Sequence, residues 1–242
     1  MIIRGIEVYR INELSAKAQR EVFYREICDG FYYKWWDYID DDLRAYVESN
    51  GFSYGRLQFS GFSSQGDGAN VTLKVQLTPE FFEPMPVADT GSPFAEKVPP
   101  FWTSSDSEAE IIKEYFSRDL VDEIQFFVSQ DRGAHYQHSN TLSAGYEIIY
   151  TEKNEPFWGE RHQSGQTHEA RFERAVEAVS NALLEWAKDL SKCAYRMLEQ
   201  EWYYITSDEA LTEMLLEAGP NGDGYVFAKD GQYIGHLLVE EE

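Results

Sequence analysis

The chain has 242 residues, 43% of them hydrophobic and 15% aromatic, and it carries 43 Asp and Glu against 21 Lys and Arg, for a formal net charge of -22. Aliphatic and aromatic residues at this density exclude a disordered chain and are ample for a buried core. The charge argues against direct binding to a nucleic-acid backbone or an anionic membrane, both of which select basic patches, and leaves basic proteins and cations as compatible partners.

Cys28 and Cys193 are too few and too far apart for a disulfide framework, and each falls in an amphipathic helical pattern, so buried free thiols are expected. No window approaches ~18 uninterrupted apolar residues, and the first residues lack the apolar run of a signal peptide. A cytoplasmic protein without membrane segments is the expectation.

In chain order, Ile2 to Arg10 reads as a first strand. Ser15 is placed to cap a helix running to about Cys28, which Gly30 ends. A second helix is predicted from about Tyr32 to Ser49, with Trp35, Ile39, Leu43, Tyr46 and Val47 at helical spacing. A hairpin follows. Leu57, Phe59 and Gly61 share one strand face, and Val71, Leu73, Val75 and Leu77 alternate with Thr72, Lys74 and Gln76.

Residues 78–103 hold six prolines and are read as a long loop wrapping the core or acting as a lid. A short helix capped by Ser105 or Ser107 is expected to reach about Leu120. Strands are expected over Val121 to Ser129, Ala134 to Ser139 and Ser143 to Thr151, and 152–165 is polar and irregular. From about Thr167 to Tyr203 no Pro or Gly intervenes. Phe172, Val176, Val179, Leu183, Trp186, Leu190, Cys193 and Met197 recur at alternating spacings of four and three, a seam that serves either as the spine covering the sheet or as a dimer interface. Ser207 is placed to cap a last helix to about Ala218, and Tyr225 to Phe227 with Gln232 to Val239 reads as a terminal hairpin. The predicted fold is α+β: an antiparallel sheet on one long helix, with shorter N-terminal helices, as a single domain over 1–242 with a helix-hairpin appendage at about 207–242.

Three constellations could carry function. Between the first two hairpin strands, Ser63, Ser64, Gln65, Gly66, Asp67, Gly68 and Ala69 form a glycine-rich loop that could cradle a ligand or simply turn the chain. It lacks the Lys-Ser/Thr ending of a phosphate loop and the spaced oxygen ligands of a calcium loop. His135 and His138 would point to opposite faces of a strand, so they cannot share a metal; His138 becomes a candidate acid or base if it faces the glycine loop. Asp37, Asp40, Asp41 and Asp42 cluster on the second helix, and Glu169, Glu173 and Glu177, like Glu108, Glu110 and Glu114, repeat at helical spacing. Such stripes are either solvated faces or carboxylates that imitate the phosphates of a nucleic acid. No nucleophile elbow, zinc signature, dinucleotide fingerprint or kinase motif is present, and no cofactor or metal is implied.

The segments Glu13 to Ala18, Ser60 to Ala69, Leu198 to Ala210 and Phe227 to Gly231 resemble a family of uncharacterised proteins in tailed-phage and prophage genomes, some with loose antitoxin-type names. The loop Gln65-Gly66-Asp67-Gly68-Ala69 and the segment Thr206-Ser207-Asp208-Glu209-Ala210 are its most specific parts. The resemblance implies a phage context and no catalytic residues. Charge and resemblance together lead to the expectation of a phage accessory protein, monomer or homodimer, that binds and inhibits a host protein with a basic surface. The alternatives are a small-molecule or nucleotide-binding protein using the Ser63 to Ala69 loop, and an oligomerising protein using the long seam.

Overall fold

The elements follow from alternation, capping and one long apolar stripe. The computed structural model describes residues 2–3, 6–29, 34–82, 92–95, 107–151, 167–218 and 224–236. In chain order these contain β1 (Ile2–Ile3), β2 (Ile6–Glu7), α1 (Ala16–Asp29), α2 (Asp37–Ser49), β3 (Ser53–Phe59), β4 (Ala69–Leu77), α3 (Ser107–Ser117), β5 (Val121–Gln130), β6 (Leu142–Tyr150), α4 (His168–Ile205), α5 (Asp208–Glu217), β7 (Tyr225–Phe227) and β8 (Tyr233–His236). The chain divides into two compact units, residues 37–197 and residues 1–36 with 198–242.

The first unit is an antiparallel sheet of order β3-β4-β5-β6. Val71, Leu73, Val75 and Leu77 of β4, with Ile124, Phe126 and Val128 of β5, form its buried face. The register pairs Leu73 with Val128, Val75 with Phe126 and Leu77 with Ile124, so these side chains stand in rows. Lys74 and Gln76, on the alternate positions, are exposed. The buried face packs against α4, which presents Phe172, Val176, Val179, Leu183, Trp186 and Leu190 together with Ala175, Ala187 and Ala194. The seam is thus the spine of the sheet through Leu190, whereas Cys193 and Met197 are only partly buried. Each large side chain withdrawn from water here contributes roughly 1.5–3 kcal/mol. Trp186 also packs on Phe52 and Tyr46, with ring centroids 4.7 Å and 6.5 Å away, which brings α2 into the same layer.

Polar contacts at two places fix this layer. Ser191 Oγ accepts a hydrogen bond from the Val71 N–H at 3.0 Å and donates to the Ala187 carbonyl at 2.6 Å. At the start of α4, the buried Tyr115 hydroxyl of α3 donates to the His168 carbonyl at 3.0 Å, and Arg171 donates to Glu114 at 3.0 Å. Of the proline-rich stretch, Pro79–Phe82 is a 3-10 turn and Phe94 is fully buried beside Tyr46; residues 83–91 and 96–103 lie outside the described residues, as does the predicted irregular segment 152–165.

In the second unit, Ala18, Val22 and Phe23 of α1 pack with Ile11, Leu14, Leu211, Leu215 and Phe227. Ser15 caps α1 and Ser207 caps α5 as predicted, accepting from Ala18 N at 3.3 Å and Ala210 N at 3.2 Å. Residues 207–236, read from sequence as part of an appendage, belong with the N-terminal residues. The first segment departs from expectation. β1 folds back on β2, and Tyr9 alone bridges to Phe227, so Ile2 to Arg10 is not one strand. α2 starts at Asp37 and not at Tyr32; Trp35 is buried outside the helix, edge-on to Trp36 at 5.6 Å and beside Trp202 at 5.7 Å. Cys28 is exposed, because the buried side of α1 runs through Ala18 and Val22 and position 28 lies across the helix from it.

Candidate functional site

The nine residues 60–68 that join β3 to β4 close on themselves. Ser60 N donates to the Gly68 carbonyl at 3.0 Å, and Gly68 N returns a bond to Ser60 Oγ at 3.2 Å. Asp67 organises the interior. Its Oδ2 accepts from the N–H groups of Ser63 at 2.7 Å and Ser64 at 2.6 Å, and its Oδ1 accepts from Ser64 Oγ at 2.8 Å. These donors, the Ser64 amide first and then its hydroxyl and the Ser63 amide, hold the carboxyl below the ordinary Asp range. Gln65 is exposed. On the other side Phe62 stacks on Tyr195 of α4 at 5.5 Å, and the Tyr195 hydroxyl donates to the Gly61 carbonyl at 3.2 Å.

The segment predicted as a strand over Ala134 to Ser139 is a loop ending in a 3-10 turn at Ser139–Thr141. Its groups bond locally instead of laddering: Gln130 Nε2 donates to the Tyr136 carbonyl at 2.9 Å, and Thr141 Oγ1 donates to the His138 carbonyl at 2.7 Å. This loop lies against the glycine loop. A Cβ on Gly66 would stand 2.9 Å from the Tyr136 ring, and one on Gly68 would stand 2.7 Å from His138 Cδ2 and 3.0 Å from the Gln137 carbonyl. Gln137 Oε1 accepts from Asn70 Nδ2 at 2.6 Å.

His138 therefore does face the glycine loop. However, its Nδ1 accepts from Asn140 N at 3.0 Å as the cap of the turn, and no hydrogen bond joins it to Asp67. His135 is exposed. Sequence reasoning missed the fully buried Asn70, which sits across from Gln58 in the β3–β4 register; Asn70 Oδ1 and Gln58 Oε1 are buried without a donor among the described residues. The only signal was an amide in place of an apolar residue at the start of an alternating strand.

The acidic cluster of α2 is divided. Asp40 is partly buried, accepts from the Tyr54 hydroxyl and pairs with Arg44 at 3.4 Å, while Arg44 lies over the Tyr54 ring at 5.2 Å. Burial first, and then Asp40, push the Tyr54 phenol far above its usual range. Asp37, Asp41 and Asp42 are exposed and have no ion-pair partner among the described residues. On α4, Glu169, Glu173 and Glu177 are likewise exposed and unpaired among the described residues, and they flank β6. Tyr150 is pushed up to about 12 by burial, then by Glu173 and Glu169; Tyr146 is raised by burial, then by Glu173 and Glu177.

On the sheet face turned away from α4, Lys74, Gln76, Gln125 and Glu147 are exposed. Across this face runs a groove of about 910 Å3 whose lining includes Arg56, Lys74, Gln76, Phe127, Ser129 and Glu147. Its cations lie on β3 and β4 and Glu147 lies on β6, so no cluster of one sign converges there. No group of three or more His, Cys, Asp or Glu that could hold a metal occurs among the described residues. No helix among them is long and apolar enough to cross a membrane.

Fold and surface together define an α+β protein with an antiparallel sheet on a long helix and exposed carboxylates beside that sheet. The chain belongs to the family described as a domain of unknown function, DUF8835, whose model matches residues 35–208 and so contains the whole sheet-bearing unit. No curated protein and no solved structure matches it.

Proposed function

We propose that this chain is a binding protein that engages a basic surface on another protein through its own carboxylates. The observation that carries the reading is the set of exposed carboxylates on α2 and α4 without ion-pair partners among the described residues, in a chain of net charge -22. Like charges left uncompensated cost the folded state stability, and an oppositely charged partner relieves that cost. The resemblance to tailed-phage proteins supports a host protein as the partner and inhibition as the consequence, with carboxylates standing where nucleic-acid phosphates would lie.

The glycine loop is a scaffold in this reading. Both Asp67 oxygens are occupied within the loop, and the space above Gly66 and Gly68 is filled by Tyr136 and His138.

Affinity capture from a host lysate, followed by direct titration of the captured protein, tests the proposal. A basic protein should bind with an affinity that falls steeply with added salt and falls again with Asp37→Asn, Asp41→Asn and Asp42→Asn together. A partner indifferent to salt and to the substitutions would overturn it.

A further inference from the structure

We infer that β6 is a docking edge for an extended basic segment of a partner protein, which adds to the sheet as a fifth strand and lays its cationic side chains along Glu169, Glu173 and Glu177. This rests on the binding reading above and gives it a surface and a geometry.

The edge itself is the first observation. β6 is terminal in the order β3-β4-β5-β6, and among the described residues no strand pairs with its outer side. From Glu123 opposite Ile149 to Gln130 opposite Leu142 its register with β5 is unbroken. Eight residues at about 3.3 Å each give roughly 26 Å of template, and the one shift in this ladder, between Val121 and Glu123, lies on β5 at the far end. Exposed edges are normally blunted by Pro, Lys, a bulge or inward charge. β6 has no Pro and no Lys, its one charge is Glu147, and Ile149 and Tyr150 are 48% and 39% exposed. The opposite edge differs: β3 is interrupted by a register shift between Tyr54 and Arg56, where Gly55 sits against Thr72, and it carries a cation.

The second observation chooses the occupant. Phe172 of α4 packs on Tyr150 at 6.4 Å, at the end of β6, while Ser191 bonds Val71 at the end of the sheet where β6 begins, so α4 and its glutamates run antiparallel to β6; the rise of Tyr150 beside Glu173 and Glu169, and of Tyr146 beside Glu173 and Glu177, agrees with this. Residues four apart on a helix advance about 6 Å, and alternate residues of a strand about 6.7 Å. Lys or Arg at every second position of an added strand therefore keeps near step with the three carboxylates. A second copy of the chain fits badly. Antiparallel β6–β6 pairing sets both helices on one side of the joined sheet and brings the glutamate stripes face to face, where like charges repel.

The test uses the full-length protein and a fluorescent dodecapeptide of alternating Lys and Val. Binding should protect β6 amides from hydrogen exchange, and Glu173→Lys with Glu177→Lys should weaken it by about tenfold at low salt, two exposed charge reversals being of that order. N-methylation of alternate peptide nitrogens, which removes strand hydrogen bonds and keeps the charge, should abolish the protection. Equal binding by the methylated peptide, or protection confined to α2, would overturn the edge-docking inference. So would protection of β6 that appears without peptide and grows with protein concentration, which would make a second copy the occupant. If the peptide fails while the captured basic protein still responds to the α2 substitutions, only this inference falls. If both fail, the binding reading falls with it.

Discussion

The amide of Val71, in the sheet, and the hydroxyl of Ser191, on the long helix, are joined by a buried 3.0 Å hydrogen bond. Val71 precedes the first β4–β5 pair at Leu73, so the helix supplies a partner at the end of that ladder. Ser191→Ala leaves this N–H buried and unmatched, at a cost of about 1–3 kcal/mol. The denaturation midpoint should drop with little change in slope. Ser180→Ala, at a buried site on the same helix with no hydrogen bond to the sheet among the described residues, should shift it far less. Equal losses would show that the latch contributes nothing.

Gly68 is held by the loop that lies over it. A methyl group there meets His138 Cδ2 at 2.7 Å and the Gln137 carbonyl at 3.0 Å. Gly68→Ala should cost about 1–3 kcal/mol, as overpacking does. His138→Ala in the same chain should recover part of that loss, because one of the two clashing groups is removed. A strictly additive double variant would mean that the two loops do not touch in solution.

Asp67 gives an acid-limb prediction. Its folded pKa is depressed by the Ser63 and Ser64 donors, so its contribution to stability is present above the usual Asp value of about 3.9 and is lost as pH falls through the lower folded value. The amide resonances of Ser63 and Ser64 should report a titration midpoint below that value. Asp67→Asn should flatten the corresponding part of the stability–pH curve. A midpoint at the ordinary value would remove the carboxylate from the turn.

Tyr150 gives the alkaline counterpart and checks the flank of β6 independently of any partner. Its folded pKa, about 12, lies above the unfolded value near 10. Its stabilising contribution is complete below about 10 and disappears as pH rises through the folded value. In ultraviolet titration Tyr150 should be among several late-ionising phenols, Tyr54 and Tyr146 included, and Glu173→Gln should bring to lower pH the part of that late ionisation that Tyr150→Phe removes. No response to Glu173→Gln would separate the glutamate stripe from β6.

The sheet and its cover were legible because their periods are unmistakable. The alternation of Val71 to Leu77 and the four-three spacing of Phe172 to Leu190 each require one buried side. Ala134 to Ser139 misled because six residues of mixed character carry no period, and their fate depends on local partners such as Thr141 and Gln130. Meeting of the glycine loop with His138 was beyond local pattern, since about 70 residues and two strands intervene. Nor could sequence show that Asp40 is engaged while Asp41 and Asp42 are exposed: that depends on Tyr54, which sits on the following strand.

The core around Phe23 closes only with Leu211, Leu215 and Phe227, from the far end of the chain. At translation rates of 5–20 residues per second, roughly 10–40 s pass between the synthesis of α1 and that of its partners. The sheet-bearing unit is continuous in sequence and is complete before then. Throughout that interval Val22 and Phe23 lack the cover of Leu211, Leu215 and Phe227, so α1 is open to chaperone capture or proteolysis.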